Sequence, residues 1–98
     1  MGDSPESDEI EVQIRTIARR IKKEREKAHI SQMDLSLTAG LSQNQVFCIE
    51  TGRRTPNLYT LLKICKALGI NPTLLFEPGE DEKAKAKEKI IELLSKYI

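Results

Sequence analysis

Ninety-eight residues suffice for one domain and leave little for a second, and a chain this short is expected to be all-helical, oligomeric or both. Apolar residues at 39% and charged residues at 32% are ordinary for a globular fold. No apolar run approaches the roughly 20 residues needed to cross a bilayer, which excludes a membrane span.

The opening residues Met1 to Ser4 are polar and acidic, unlike a signal peptide, and Glu6 stands where a myristoylation signal needs Ser or Thr. A cytoplasmic location is therefore expected. Cys48 and Cys65 are far apart and have no second Cys or His at ligand spacing, so they read as free thiols. With His29 as the one histidine, neither a metal site nor a catalytic triad can be assembled. No phosphate loop or paired carboxylate site appears. The expectation is no enzyme, no cofactor and no metal.

Net charge is +1, but its distribution is uneven. Residues 1–11 hold five acids and no base, residues 12–76 hold eleven bases against four acids, and residues 77–98 hold five bases against six acids. A basic middle fits a domain that meets a polyanion. The Arg19 to Lys27 cluster alone reads equally as a solvated helix face.

In chain order, residues 1–9 are expected to form a disordered acidic tail. Ile10, Ile14, Ile17, Ile21 and Ala28 have helical spacing and define a first helix. Ser31 with Asp34 is a capping pattern for a second helix, from about Gln32 to Ala39, with Leu35 and Ala39 inward; Gly40 ends it. Ser42 with Gln45 opens a third, from about Gln43 to Thr51, closed by Gly52. Two capped helices joined by Gly40, Leu41 and Ser42 make a helix-turn-helix over about residues 32–51.

Thr55, Pro56 and Asn57 form a turn and a cap. A fourth helix then carries Leu58, Leu61, Leu62, Cys65 and Leu68 on one stripe and ends at Gly69. Asn71 and Pro72 start a short fifth helix with Leu74, Leu75 and Phe76. After Pro78 and Gly79, a last helix from about Asp81 to Tyr97 bears Ile90, Ile91, Leu94 and Ile98 on one face. The expected fold is all-α: a five-helix domain over 10–77 that carries the helix-turn-helix, and a C-terminal helix over 80–98.

The features that sit in register are Gln32, Leu35, the Ala39-Gly40 turn, the Ile49-Glu50-x-Gly52 end, Pro56 and the Ala67-Leu68-Gly69 terminus. From about Ile17 to Phe76 the chain resembles the XRE, or Cro/CI, helix-turn-helix family to which phage lambda-type repressors belong. The resemblance implies a DNA-binding transcription regulator acting as a homodimer on double-stranded DNA.

The residues themselves carry that expectation further. On the third helix, Val46 and Ile49 point inward, while Gln43, Asn44, Phe47, Cys48 and Thr51 fall on the opposite face. That face has two amides and no charge. Gln and Asn pair bidentately with the adenine edge in the major groove, and Phe47 and Cys48 can touch a thymine methyl. Two amides at an isolated helix start would read as solubility and capping, and inside this motif groove contact is the expectation. Gln32 occupies a helix start that favours phosphate, a role the resemblance also gives it. Ser42, Thr51, Arg53, Arg54 and Asn57 complete the expected phosphate contacts.

By resemblance, Glu50 pairs with Arg25 of the first helix in a structural ion pair, and His29 replaces a helix-ending Gly at positive φ. Leu37 and Phe47 are expected to face solvent, DNA or a partner. The stripe Ile90, Ile91, Leu94 and Ile98 either folds back or joins a twofold partner. The small core favours dimerisation, with the fifth helix as the other route. A protein-interaction adaptor built on the same helices is the rival reading. Phage-type repressor, restriction-modification controller and antitoxin are not separable from the sequence.

Overall fold

The computed structural model describes residues 5–77 and 91–95. Five helices follow one another: α1 (Pro5–Lys27), α2 (Gln32–Ala39), α3 (Gln43–Glu50), α4 (Leu58–Leu68) and α5 (Thr73–Phe76). Residues 91–95 are also helical, and there is no strand among the described residues.

Nearly every boundary traces to a side chain or backbone conformation that satisfies groups a helix end leaves unpaired. Ser31 Oγ accepts the Asp34 N–H at 3.0 Å, and Asn57 Oδ1 accepts the Thr60 N–H at 2.8 Å. Between α2 and α3 the bonding is reciprocal. Ser42 Oγ accepts the Gln45 N–H at 3.0 Å, while Gln45 Oε1 accepts the Ser42 N–H at 2.9 Å. Gly40 ends α2 at φ 69°, and its left-handed turn lets Leu41 N–H reach the Ser36 carbonyl at 2.8 Å. His29 does the same task after α1 at φ 58°, where a side chain is strained. Asn71 Oδ1 accepts the Thr73 N–H at 3.0 Å, and Pro72 already has helical dihedrals.

Two expectations are corrected at the ends of α1. It begins at Pro5, not Ile10, so part of the segment read as a disordered tail is helical. Proline suits a first helical turn because its missing N–H would be unbonded there, and Asp8 and Glu9 bring negative charge to the positive end of the helix dipole. Ile10 and Ala28 are exposed, so the buried stripe is only the middle of the helix, around Ala18 and Ile21.

The core is Ile21 from α1, Leu35 and Ala39 from α2, Val46 and Ile49 from α3, Leu61, Ile64 and Cys65 from α4, and Leu75 from α5. Each fully buried Ile or Leu contributes about 1.5–3 kcal/mol over its exposed form. α2 packs against both α3 and α4, and α1 covers α3 and α5. The α4 stripe is turned from the expected one: Ile64 is fully buried, while Leu58 is 69% and Leu62 44% exposed. The face is chosen by the position of α2, and Leu61, Ile64 and Cys65 are the residues one turn apart that meet it. Arg20 Nη1 donates to the Leu75 carbonyl at 2.9 Å, fastening the short α5 to α1.

Candidate nucleic-acid interface

The reciprocal cap at Ser42 fixes where α3 starts, and therefore which side chains occupy its first turn. Val46 and Ile49 are buried against the core. On the other side Gln43 and Asn44 are exposed, Phe47 is 39% exposed, and Cys48 is half-buried. The amides of Gln43 and Asn44 thus stand at the solvent end of a rigid, doubly held helix start. Cys48 Sγ lies 3.9 Å from Asn44 Oδ1, a weak thiol contact one turn away.

The far end of α3 is anchored by charge. Arg25 Nε donates to Glu50 Oε2 at 2.7 Å and its Nη2 to Oε1 at 3.1 Å. Arg25 Nη1 donates to the Ile30 carbonyl at 2.8 Å. The Glu50 side chain is only 1% exposed. Hydrogen bonding to Glu50 holds the Arg25 guanidinium above its ordinary pKa, against the opposing effect of burial. Gln32 joins this group: its Nε2 donates to Glu50 Oε1 at 3.1 Å. The carboxylate therefore links the end of α1, the start of α2 and the end of α3.

The Gln32 bond was not anticipated from sequence. It uses one of the two N–H donors of that amide, which leaves the second, with the backbone N–H at the start of α2, to meet a phosphate. No spacing rule signals such a bond, since the two residues are brought together by the packing of α2 against α3.

The remaining predicted phosphate residues are all exposed. Ser42 uses its oxygen as an acceptor within the cap, which leaves its hydroxyl proton to donate. Thr51 Oγ1 donates to the Phe47 carbonyl at 2.9 Å and is exposed. Asn57 caps α4 through Oδ1, leaving its exposed NH₂ as donor. Arg53 and Arg54 are exposed in the turn after α3, where Arg54 N–H donates to the Cys48 carbonyl at 3.1 Å. The Arg53 guanidinium sits over the Phe47 ring, 5.5 Å from its centroid. That stacking was also missed, because it bridges a helix and the turn beyond it.

Of the predicted dimer residues, Ile91 and Leu94 are 63% and 58% exposed. Ile90 and Ile98 lie outside the described residues. Among the described residues no group of His, Cys, Asp and Glu side chains is placed to hold a metal ion, and no helix is long and apolar enough to cross a membrane.

Comparison with known proteins also returns a helix-turn-helix. The sequence profile of the helix-turn-helix family matches residues 21–75. An uncharacterised HTH-type transcriptional regulator of Sinorhizobium fredii, y4dJ, is 33% identical over 57 residues, covering 58% of this chain and 73% of that protein. The crystal structure of the restriction-modification controller protein C.AhdI from Aeromonas hydrophila is similar with a TM-score of 0.64 at 30% identity, over 65% of this chain and 97% of that one. The chain belongs to the XRE-type helix-turn-helix family of DNA-binding transcription regulators.

Proposed function

We propose that this protein is a sequence-specific regulator of the repressor or controller type, acting as a homodimer on an inverted-repeat operator. The observation that carries the reading is the outward face of α3, two amides presented by a reciprocal cap with no charge among them. In the major groove Gln43 and Asn44 read base edges, and Phe47 and Cys48 lie where thymine methyls are met. Gln32, Ser42, Thr51, Arg53, Arg54 and Asn57 hold phosphates and set the register. The likeness to a restriction-modification controller favours the controller assignment.

One α3 covers only a few base pairs, and twofold pairing doubles the site and adds affinity through effective concentration. The exposed Ile91 and Leu94, with Ile90 and Ile98 in the same stripe of the sequence, are the apolar surface offered to the second copy.

Selection of bound duplexes from a random pool tests the whole reading. It should return an inverted repeat whose half-site centres lie about 10 base pairs apart, with log affinity falling linearly in log salt by about 0.9 per phosphate contacted. Absence of binding to any duplex at low salt would leave the adaptor reading standing instead. Removal of residues 80–98 should leave a folded monomer in sedimentation that binds the repeat poorly. If truncated and full-length chains sediment alike, the last segment is not the dimer element.

A further inference from the structure

We infer that Phe47 is a positioning residue for Arg53, holding its guanidinium ready for a phosphate, and that this is its main contribution to binding. The inference rests on the assignment of Arg53 as a phosphate contact. Phe47 lies on the face of α3 turned away from Val46 and Ile49, with 39% of its surface exposed. The ring is not among the buried core residues. It gains its partner from the turn beyond the helix: the Arg53 guanidinium carbon is 5.5 Å from the ring centroid, within the ~6 Å over which a cation is attracted to an aromatic face.

The geometry suits a phosphate clamp. The attraction is to the guanidinium's charge and uses none of its N–H donors, the ones that grip phosphate. A long arginine otherwise gives up rotamer freedom when it binds, and a side chain already held over a ring has lost part of it beforehand. Arg54 has no such ring contact and sits in the same turn, so it serves as an internal control. A thymine-methyl contact by Phe47 would act only on sequences with thymine in place. A positioning role acts on every duplex.

The test uses the full chain, a duplex of mixed random sequence and a duplex recovered by selection, each titrated over a salt series. Arg53→Ala should flatten the log–log salt slope by about 0.9, the loss of one phosphate. Phe47→Leu should weaken both duplexes alike by about two- to fivefold with the slope unchanged, because the contact still forms but is no longer pre-arranged. Phe47→Tyr, which keeps the ring, should restore binding. In the Arg53→Ala background Phe47→Leu should cost nothing more, while in the Arg54→Ala background it should cost its full amount. A Phe47→Leu loss confined to the selected duplex, or fully additive with Arg53→Ala, overturns the positioning role and makes Phe47 a base reader. An unchanged slope in Arg53→Ala alone removes the clamp itself, and the inference falls with it.

Discussion

Helices α3 and α4 are built alike and used differently. Each starts at a polar cap, Ser42 or Asn57, and each buries a short run of apolar side chains. α3 carries four apolar residues, Val46, Phe47, Cys48 and Ile49, and buries only Val46 and Ile49, three residues apart, so its opposite face is free for amides. α4 carries a surplus, with Leu58, Leu61, Leu62, Ile64, Cys65 and Leu68 competing for one interior. The sparse helix presents one solution to the fold. The rich one leaves its face to be decided by its neighbours. A helix that must show a defined surface to a partner gains from carrying few apolar residues.

The contrast breaks if the buried face of α4 is misassigned, and this carries the largest expected effect. Ile64→Ala should cost about 4 kcal/mol by urea denaturation, the transfer and cavity loss of a fully buried side chain. Leu62→Ala, on the exposed side, should stay within about 0.5 kcal/mol. Equal losses would mean that α4 has no preferred face.

The fixed orientation of α3 is tested next through its far end. Glu50→Ala should cost about 3 kcal/mol, because it strands the Arg25 guanidinium with little access to water. A double-mutant cycle between Arg25 and Glu50 should return a clear coupling, and a value indistinguishable from zero would refute the tether.

The caps sharpen the comparison on a smaller scale. Ser42→Ala and Asn57→Ala should each cost about 1 kcal/mol in stability and each weaken DNA binding through a lost phosphate donor, but only the first should also relax sequence preference, because it loosens the start of the reading helix. Equal effects on sequence preference would deny α3 its special role.

Finally, the two thiols report on the two helices. Burial in α4 pushes the Cys65 thiol above its ordinary pKa. The folded state therefore holds that proton more tightly than the unfolded state. Its share of stability is complete below the ordinary thiol range and is lost as pH rises through and beyond it. An alkylating reagent should modify Cys48 in the native protein and Cys65 only on unfolding; native-state labelling of Cys65 would place α4 wrongly.

The same contrast explains what the sequence could tell. The starts of α2, α3 and α4 were legible, because a Ser or Asn cap, a Gln at the fourth position or a closing Gly acts within a few residues. The outward set on α3 was legible for the reason given above. The exposed Leu58 and Leu62 and the buried Ile64 were not, since an apolar surplus leaves the face undetermined until α2 is in place. The early start at Pro5 was missed because acidity suggested disorder, while the same acids suit a helix N-terminus. Long-range polar contacts, Gln32 with Glu50 and Arg20 with Leu75, have no local signature at all. The pairing of Arg25 with Glu50 was readable only through family register.

The central claim is that α3 reads bases while the turn after it grips phosphate, and comparing single substitutions on two duplexes tests this most directly. Gln43→Ala and Asn44→Ala should each lose about 1–3 kcal/mol on the selected operator and little on random duplex, relaxing sequence preference. Arg54→Ala should weaken both duplexes in the same proportion and flatten the salt slope by about one phosphate. Should all three variants lose affinity equally on both duplexes, the division between reading face and clamp is contradicted.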